Sequence, residues 1–169
     1  MPAHPSIWQR ILIGKNPKRT LVRAAILVVV SLVVFGFILM PVRISGISME
    51  PTYHNGGFNF VNRLAFARAR PQRGDVVALR FSELRVRPVY MKRIIALPGE
   101  TIEIRDGIVF IDEEPLAEPY VKNRAPWRIP ARTLADNEYF VIGDNRGMAS
   151  SDHVFGVKDS KQILGKVLW

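Results

Sequence analysis

Ser48 and Lys92 are the two residues of this chain whose types and settings could do chemistry together. Ser48 lies in SGISMEPT (Ser45–Thr52), just past an apolar stretch of membrane length, and Lys92 lies in the apolar run VYMKRIIALPG. A serine hydroxyl is a weak nucleophile until a base takes its proton, and a lysine amine becomes such a base when burial disfavours its ammonium form. In a strand, side chains alternate, so Tyr90, Lys92 and Ile94 share one face while Met91, Arg93 and Ile95 share the other. Lys92 then lies between an aromatic and an aliphatic neighbour, surroundings that lower its pKa. Gly46 before Ser48 and Pro51 after it constrain the backbone, the setting in which a serine is held rigidly and its own N–H can face an oxyanion. Taken alone, each residue has a plainer reading: Lys92 as a lysine snorkelling from a half-buried strand, Ser48 as an ordinary loop serine. Met49, beyond the serine, could touch a bilayer, line a substrate groove or pack in a core.

The histidines offer a second arrangement. His4 lies ahead of the apolar stretch, His54 is near Ser48, and His153 stands beside Asp152, so a Ser-His-Asp triad of Ser48, His153 and Asp152 is formally available.

The elements that must position these residues read as β. GFNFVN, DVVALRF, PVYMKRIIA, TIEIR, IVFID and EYFVIG are short runs rich in β-branched and aromatic residues, separated by Gly, Pro and Asp. In IEIRDGIVFI, Asp106-Gly107 forms a two-residue hairpin loop, which sets Ile104 opposite Val109 and Ile102 opposite Ile111. That gives one apolar face in need of a second layer. KNRAPWRIPARTLAD, between Val121 and Asp136, reads as a long loop or edge excursion, and no helix is expected after Val42.

Four blocks in order resemble the type I signal peptidases, serine proteases that remove signal peptides from exported proteins: SGISMEPT, RGDVVALR (Arg73–Arg80), YMKRIIALPGE (Tyr90–Glu100) and VIGDNRGMASSD (Val141–Asp152). The resemblance implies a mainly β catalytic domain behind a single N-terminal transmembrane helix, with Ser48 as nucleophile and Lys92 as base. It needs no metal or cofactor. The endoplasmic-reticulum branch of that family has histidine where this chain has Lys92, so the lysine implies the bacterial or organellar type and ranks the dyad above the triad. Gly46 stands where the family has Ser or Gly, so no hydroxyl from that position should help the oxyanion. The last block departs by one residue from the family's GDNR and Ser-x-Asp-Ser. Aligned on its end, it matches Ser150 and Asp152 and puts His153 where a serine is common; aligned on its start, it puts Ala149 at the serine. We take Ser150 as the hydroxyl that orients the lysine amine, with Ser151 as its competitor. Asp144 and Asp152 are then the candidates to pair with Arg93 or Arg146, while Gly143 and Asn145 shape the turn. The substrate implied is the signal peptide of an exported preprotein, with small residues at the first and third positions before the cut, bound as an added strand on a sheet edge. Two other readings are a self-processing Ser-Lys protease of related fold and a membrane-tethered β module without catalysis.

Composition sets the bounds. The 169 residues allow one globular domain plus an anchor, and with no cysteine the fold has neither disulfides nor thiolate metal sites. Ala24–Met40 is 17 residues without a charge, 19 if extended to Val42, which at ~1.5 Å per residue approaches a ~30 Å hydrocarbon core. A cleavable leader would have a shorter apolar stretch and a small-x-small end, which ILMPVRISG lacks. Arg10, Lys15, Lys18, Arg19 and Arg23 precede the span with no acidic residue, which predicts a cytoplasmic segment 1–23, a transmembrane anchor 24–42 and an extracytoplasmic domain 43–169, in a cell membrane crossed once. The net charge is +9, and those five residues supply more than half of it. The remaining excess suits anionic lipid headgroups. Nucleic acid is not an expected partner, because the one basic cluster, ARARPQR (Ala67–Arg73), lacks interleaved aromatics and reads as a solvated loop.

Overall fold

The structure is a computed structural model and describes residues 16–80 and 89–168. Arg10, Lys15 and His4, and the Phe81 and Pro88 ends of two expected strands, lie outside the described residues.

The first unit is a helix, α1, Pro17–Val33, continued by a π-helical turn, Val34–Ile38. It starts at Asn16, whose side chain accepts a hydrogen bond from the Arg19 N–H, with Pro17 filling a first-turn position that has no use for an N–H. Within Pro17–Ile38 the apolar 18-residue stretch has a mean hydropathy of 2.7, and none of it is buried. A helix apolar on all sides and covered by nothing is stable only in apolar surroundings, and this one is long and apolar enough to cross a membrane. Its limits differ from those expected. The Asn16 cap carries the helix seven residues ahead of Ala24, and Leu39–Val42, indistinguishable from the span by composition, turns into a strand.

The second unit, Leu39–Trp169, is a mainly β domain. Its strands are β1 Leu39–Arg43, β2 Phe58–Asn62, β3 Val76–Arg80, β4 Val89–Ala96, β5 Thr101–Arg105, β6 Ile108–Ile111, β7 Glu114–Pro115, β8 Ile129–Thr133, β9 Glu138–Ile142, β10 Gly156–Asp159 and β11 Ile163–Val167. They form two sheets, ordered β1-β2-β11-β3-β4-β9-β10 and β7-β6-β5-β8, and every pairing within them is antiparallel. Among the described residues of this unit the only helical pieces are the short 3-10 turns Ser150–Asp152 and Ser160–Gln162.

The β5–β6 hairpin has the expected register, Ile104 opposite Val109 and Ile102 opposite Ile111. Asp106 and Gly107 both have positive φ, 48° and 80°, as a two-residue turn matching the strand twist requires. The four aliphatic side chains are buried, each stabilising by ~1.5–3 kcal/mol. Their second layer comes from the large sheet: Ile95, Ala96, Phe140 and Ile142 pack against them, with Trp127 and Leu134. Ile129–Thr133, inside the expected loop or edge excursion, is the edge strand β8 on β5.

β4 is central in the large sheet, and both its faces are covered. Tyr90 and Ile94 pack with Val77, Leu79, Tyr139 and Val141, while Met91 packs with Met49, Tyr53, Val61, Val76, Ala78 and Val167. Lys92 lies opposite Val77 of β3. On its other side β9 pairs with β4 only from Arg93 onward, so the chain leaving β9 turns over Lys92.

Candidate active site

The nucleophile turn is built at the exit of β1. Ile44 exchanges backbone hydrogen bonds with Gly56 and Gly57, at 2.9 and 2.8 Å, and Gly46, at φ 99°, donates its N–H to Asn55 Oδ1 at 3.0 Å. A side chain at Gly46 would strain that left-handed backbone. The turn closes through Glu50 N–H to the Ile47 carbonyl, 3.1 Å, and Met49 and Tyr53 bury themselves beneath it. Met49 is therefore a core residue whose edge also reaches the adjoining cleft.

Lys92 Nζ and Ser48 Oγ are hydrogen-bonded at 2.7 Å. With the ammonium, an N–H donates to the hydroxyl oxygen; with the neutral amine, the hydroxyl donates to the nitrogen lone pair, the arrangement a general base requires. Lys92 is 2% exposed. Burial disfavours its charge and lowers its pKa from 10.5 to about 8, against the opposing pull of the Asp144 carboxylate. Among the described residues, the Ser48 backbone N–H has no acceptor, whereas the Ser48 carbonyl accepts from Asn145 N–H at 3.1 Å.

The turn Gly143–Arg146 clamps this assembly. Asn145 also donates its side-chain amide to the Ile47 carbonyl at 3.1 Å. Asp144 accepts from Thr52 Oγ1 at 2.6 Å and takes a fork from Arg93, Nε at 2.8 Å and the second guanidinium nitrogen at 2.6 Å. Arg93 and Asp144 are thus the expected pair, both buried. The turn approaches so closely that a Cβ on Gly143 would lie 2.1 Å from the Ser48 carbonyl oxygen and 2.5 Å from the His153 ring.

The remaining expected residues are placed differently. Ser150 and Ser151 are exposed in the 3-10 turn; Ser151 hydrogen-bonds Asp152, and neither hydroxyl reaches the Lys92 amine, so the orienting role expected of Ser150 is not what the geometry provides. Asp152 is exposed as well and pairs with neither Arg93 nor Arg146. Arg146 instead pairs with Glu118, a carboxylate outside the motifs, and donates Nε to the Gly143 carbonyl at 2.9 Å. Glu118 and Tyr120 were not singled out in the sequence. Both lie outside the four blocks, so no local pattern marks them.

The triad is not assembled. His54 is exposed. His153 is buried against Trp127 and Phe155, and among the described residues no side chain hydrogen-bonds either of its ring nitrogens, so Asp152 does not orient it. Burial, with the charges of Lys92 and Arg146, pushes its pKa down to about 4.

A cleft of about 250 Å³ opens beside Ser48, lined on one side by Val42–Gly46 and on the other by Val89–Met91, with Val61, Ala78 and Val167 at its floor. Among the described residues, no three His, Cys, Asp or Glu side chains gather to hold a metal ion.

A β-rich domain with a serine hydroxyl against a buried amine, following a membrane-length helix, is the make-up of a membrane-tethered hydrolase. A family model described as signal peptidase, peptidase S26, matches residues 18–169, and the chain belongs to that family. It is 36% identical over 157 residues to "Signal peptidase I S" of Bacillus subtilis, an alignment covering 83% of this chain and 80% of that protein. It is 32% identical over 171 residues to "Probable signal peptidase I-1" of Synechocystis sp., covering 98% and 84%. A crystal structure of a signal peptidase I from Enterococcus faecalis V583 aligns with 59% of this chain and 97% of its own, at 28% identity and a TM-score of 0.46.

Proposed function

We propose that this chain is a membrane-anchored serine endopeptidase that removes signal peptides from exported preproteins, with Ser48 as nucleophile and Lys92 as its base. The observation that carries this reading is the 2.7 Å contact between the hydroxyl and a buried amine. Neutral Lys92 takes the Ser48 proton as Oγ attacks the scissile carbonyl, and the tetrahedral oxyanion meets the unused Ser48 N–H. The lysine then returns the proton to the departing amine, leaving an acyl-enzyme, and the same amine activates the water that hydrolyses it.

The cleft accounts for specificity. At about 250 Å³ it lies below the range of sites that enclose drug-sized ligands. An extended peptide presents every second side chain to the same wall, so the first and third residues before the cut meet Val42, Ala78 and Met91 together, and both must be small.

The helix supplies the anchor. Lys18, Arg19 and Arg23, with Arg10 and Lys15, favour an N-terminus in the cytoplasm, so that the peptidase domain beyond the span acts outside, on preproteins crossing the cell membrane. Protease added outside spheroplasts then digests the Ser48 domain; full protection of that domain would reverse the orientation. The function itself is tested by incubating detergent-solubilised full-length protein with a preprotein. Cleavage after a small-x-small motif by the wild type and none by Ser48→Ala is expected, and equal cleavage by both would refute the assignment.

A further inference from the structure

The turn that grips the nucleophile is itself held from behind. Glu118 lies between β7 and β8 with its side chain wholly buried. Its carboxylate accepts from both terminal nitrogens of Arg146, one at 3.2 Å, and from the Tyr120 hydroxyl at 3.0 Å. Arg146 spends its third donor, Nε, on the Gly143 carbonyl. Its own carbonyl accepts from Ala125 N–H at 2.9 Å. The Tyr120 ring lies under the Arg93 guanidinium, 4.1 Å from its centroid. Among the described residues, Glu118 is therefore the one carboxylate that reaches both halves of the clamp: through Arg146 the backbone of the turn, and through Tyr120 the arginine that holds Asp144. Between these supports stand the groups that touch the nucleophile turn, Asn145 on the Ile47 and Ser48 carbonyls and Asp144 on Thr52.

We propose that Glu118 is a positioning residue for the cleavage reaction: its carboxylate fixes the Gly143–Arg146 turn, and through it the placement of Ser48 against Lys92. The proposal rests on the reading of those two residues as nucleophile and base. A small displacement of a nucleophile from its base costs rate steeply, whereas no residue of this buried network lines the substrate cleft. The loss on removing Glu118 therefore falls on kcat and leaves KM in place. Glu118 makes its contacts with Arg146 and Tyr120 and not with the Lys92 amine, so its removal leaves in place the burial and the Asp144 charge that set the pH at which the base becomes neutral.

The test uses the detergent-solubilised full chain and a preprotein substrate, measuring kcat and KM across pH 6–10 for wild type, Glu118→Gln and Tyr120→Phe, with Ser48→Ala and Lys92→Ala alongside. Glutamine keeps the shape but puts an N–H where Arg146 needs an acceptor. Expected are a fall in kcat of about tenfold or more, KM within about twofold and an unchanged pH midpoint. Tyr120→Phe, which keeps the ring under Arg93 and removes only the donor to Glu118, follows in the same direction with a loss of about threefold. A folded Glu118→Gln with wild-type kcat overturns the proposal. So does a loss accompanied by a midpoint moving to higher pH, the mark of general loosening that wets the lysine. Where Glu118→Gln does not fold, Tyr120→Phe decides: lowered kcat at unchanged KM and midpoint supports the proposal, and unchanged kcat overturns it. Activity in Ser48→Ala or Lys92→Ala overturns the nucleophile and base reading and the positioning role with it. Two inactive controls beside a fully active Glu118→Gln overturn the positioning role alone.

Discussion

Lys92→Met should make the protein inactive and more stable. The lysine is charged in the unfolded chain up to its ordinary pKa of 10.5 and in the folded protein only up to about 8. Between those values the unfolded chain binds more protons, so wild-type stability rises with pH across that window; below it both states are charged and the cost of burying the ammonium is paid in full. The gap of about 2.5 between the two pKa values, at ~1.36 kcal/mol each, makes that cost ~3 kcal/mol. Methionine has nearly the same length and no charge, and the partner it abandons, the Ser48 hydroxyl, is half-exposed and can turn to water. At pH 7 the variant should gain most of the ~3 kcal/mol, a rise in melting temperature of roughly 10 °C for a domain of this size. At pH 10 the advantage should shrink to below ~1 kcal/mol, because the folded wild-type lysine is then neutral. Thermal or urea unfolding of the full-length protein in detergent at the two pH values measures both. A variant no more stable than wild type at pH 7, or an advantage indifferent to pH, would refute the claim that Lys92 is desolvated.

Lys92→Arg should be as inactive as Lys92→Ala in the preprotein assay, since a guanidinium stays protonated and cannot accept the serine proton. Arg93→Met should move the rise of kcat/KM to higher pH, because Asp144 loses the guanidinium that offsets its pull on Lys92, and should cost ~3–5 kcal/mol in urea unfolding through the stranded buried carboxylate. Ser150→Ala should cleave within about twofold of wild type, as an exposed side chain without a contact to the amine is a surface change. His153→Ala and Asp152→Ala should both remain active with the midpoint of their pH profiles in place; an inactive but folded His153→Ala beside an active Lys92→Ala would restore the triad.

The parts legible in the sequence are those fixed by local chemistry. Asp106-Gly107 determines a register by itself, so Ile102, Ile104, Val109 and Ile111 could be set on one face without knowledge of what covers them. The Ser48 and Lys92 blocks were legible because each carries a backbone constraint or an apolar setting within a few residues. What was missed depends on distant contacts. Leu39–Val42 is as apolar as the helix before it, and only its ladder to Phe58–Asn62 makes it a strand. β11 passes Asn62 so closely that a Cβ on Gly165 would lie 2.3 Å from the Asn62 carbonyl oxygen, a fit that no local pattern reveals. β8 carries Pro130 and is largely exposed, and so reads as loop. Ser150 and Ser151 were assigned by alignment within a block that departs in spacing, and the 3-10 turn directs them to solvent while His153 takes the buried place. Glu118 is invisible locally because its partner Arg146 is 28 residues away.

The central claim is that Lys92, as a neutral amine, is the base for Ser48, and the dependence of kcat/KM on pH for wild-type cleavage of a preprotein tests it most directly. The free enzyme works only with the amine neutral, so kcat/KM should rise through a single midpoint at about 8 and level off above it. A profile already level at pH 6, a midpoint near the ordinary histidine value, or one near 10.5 would contradict it.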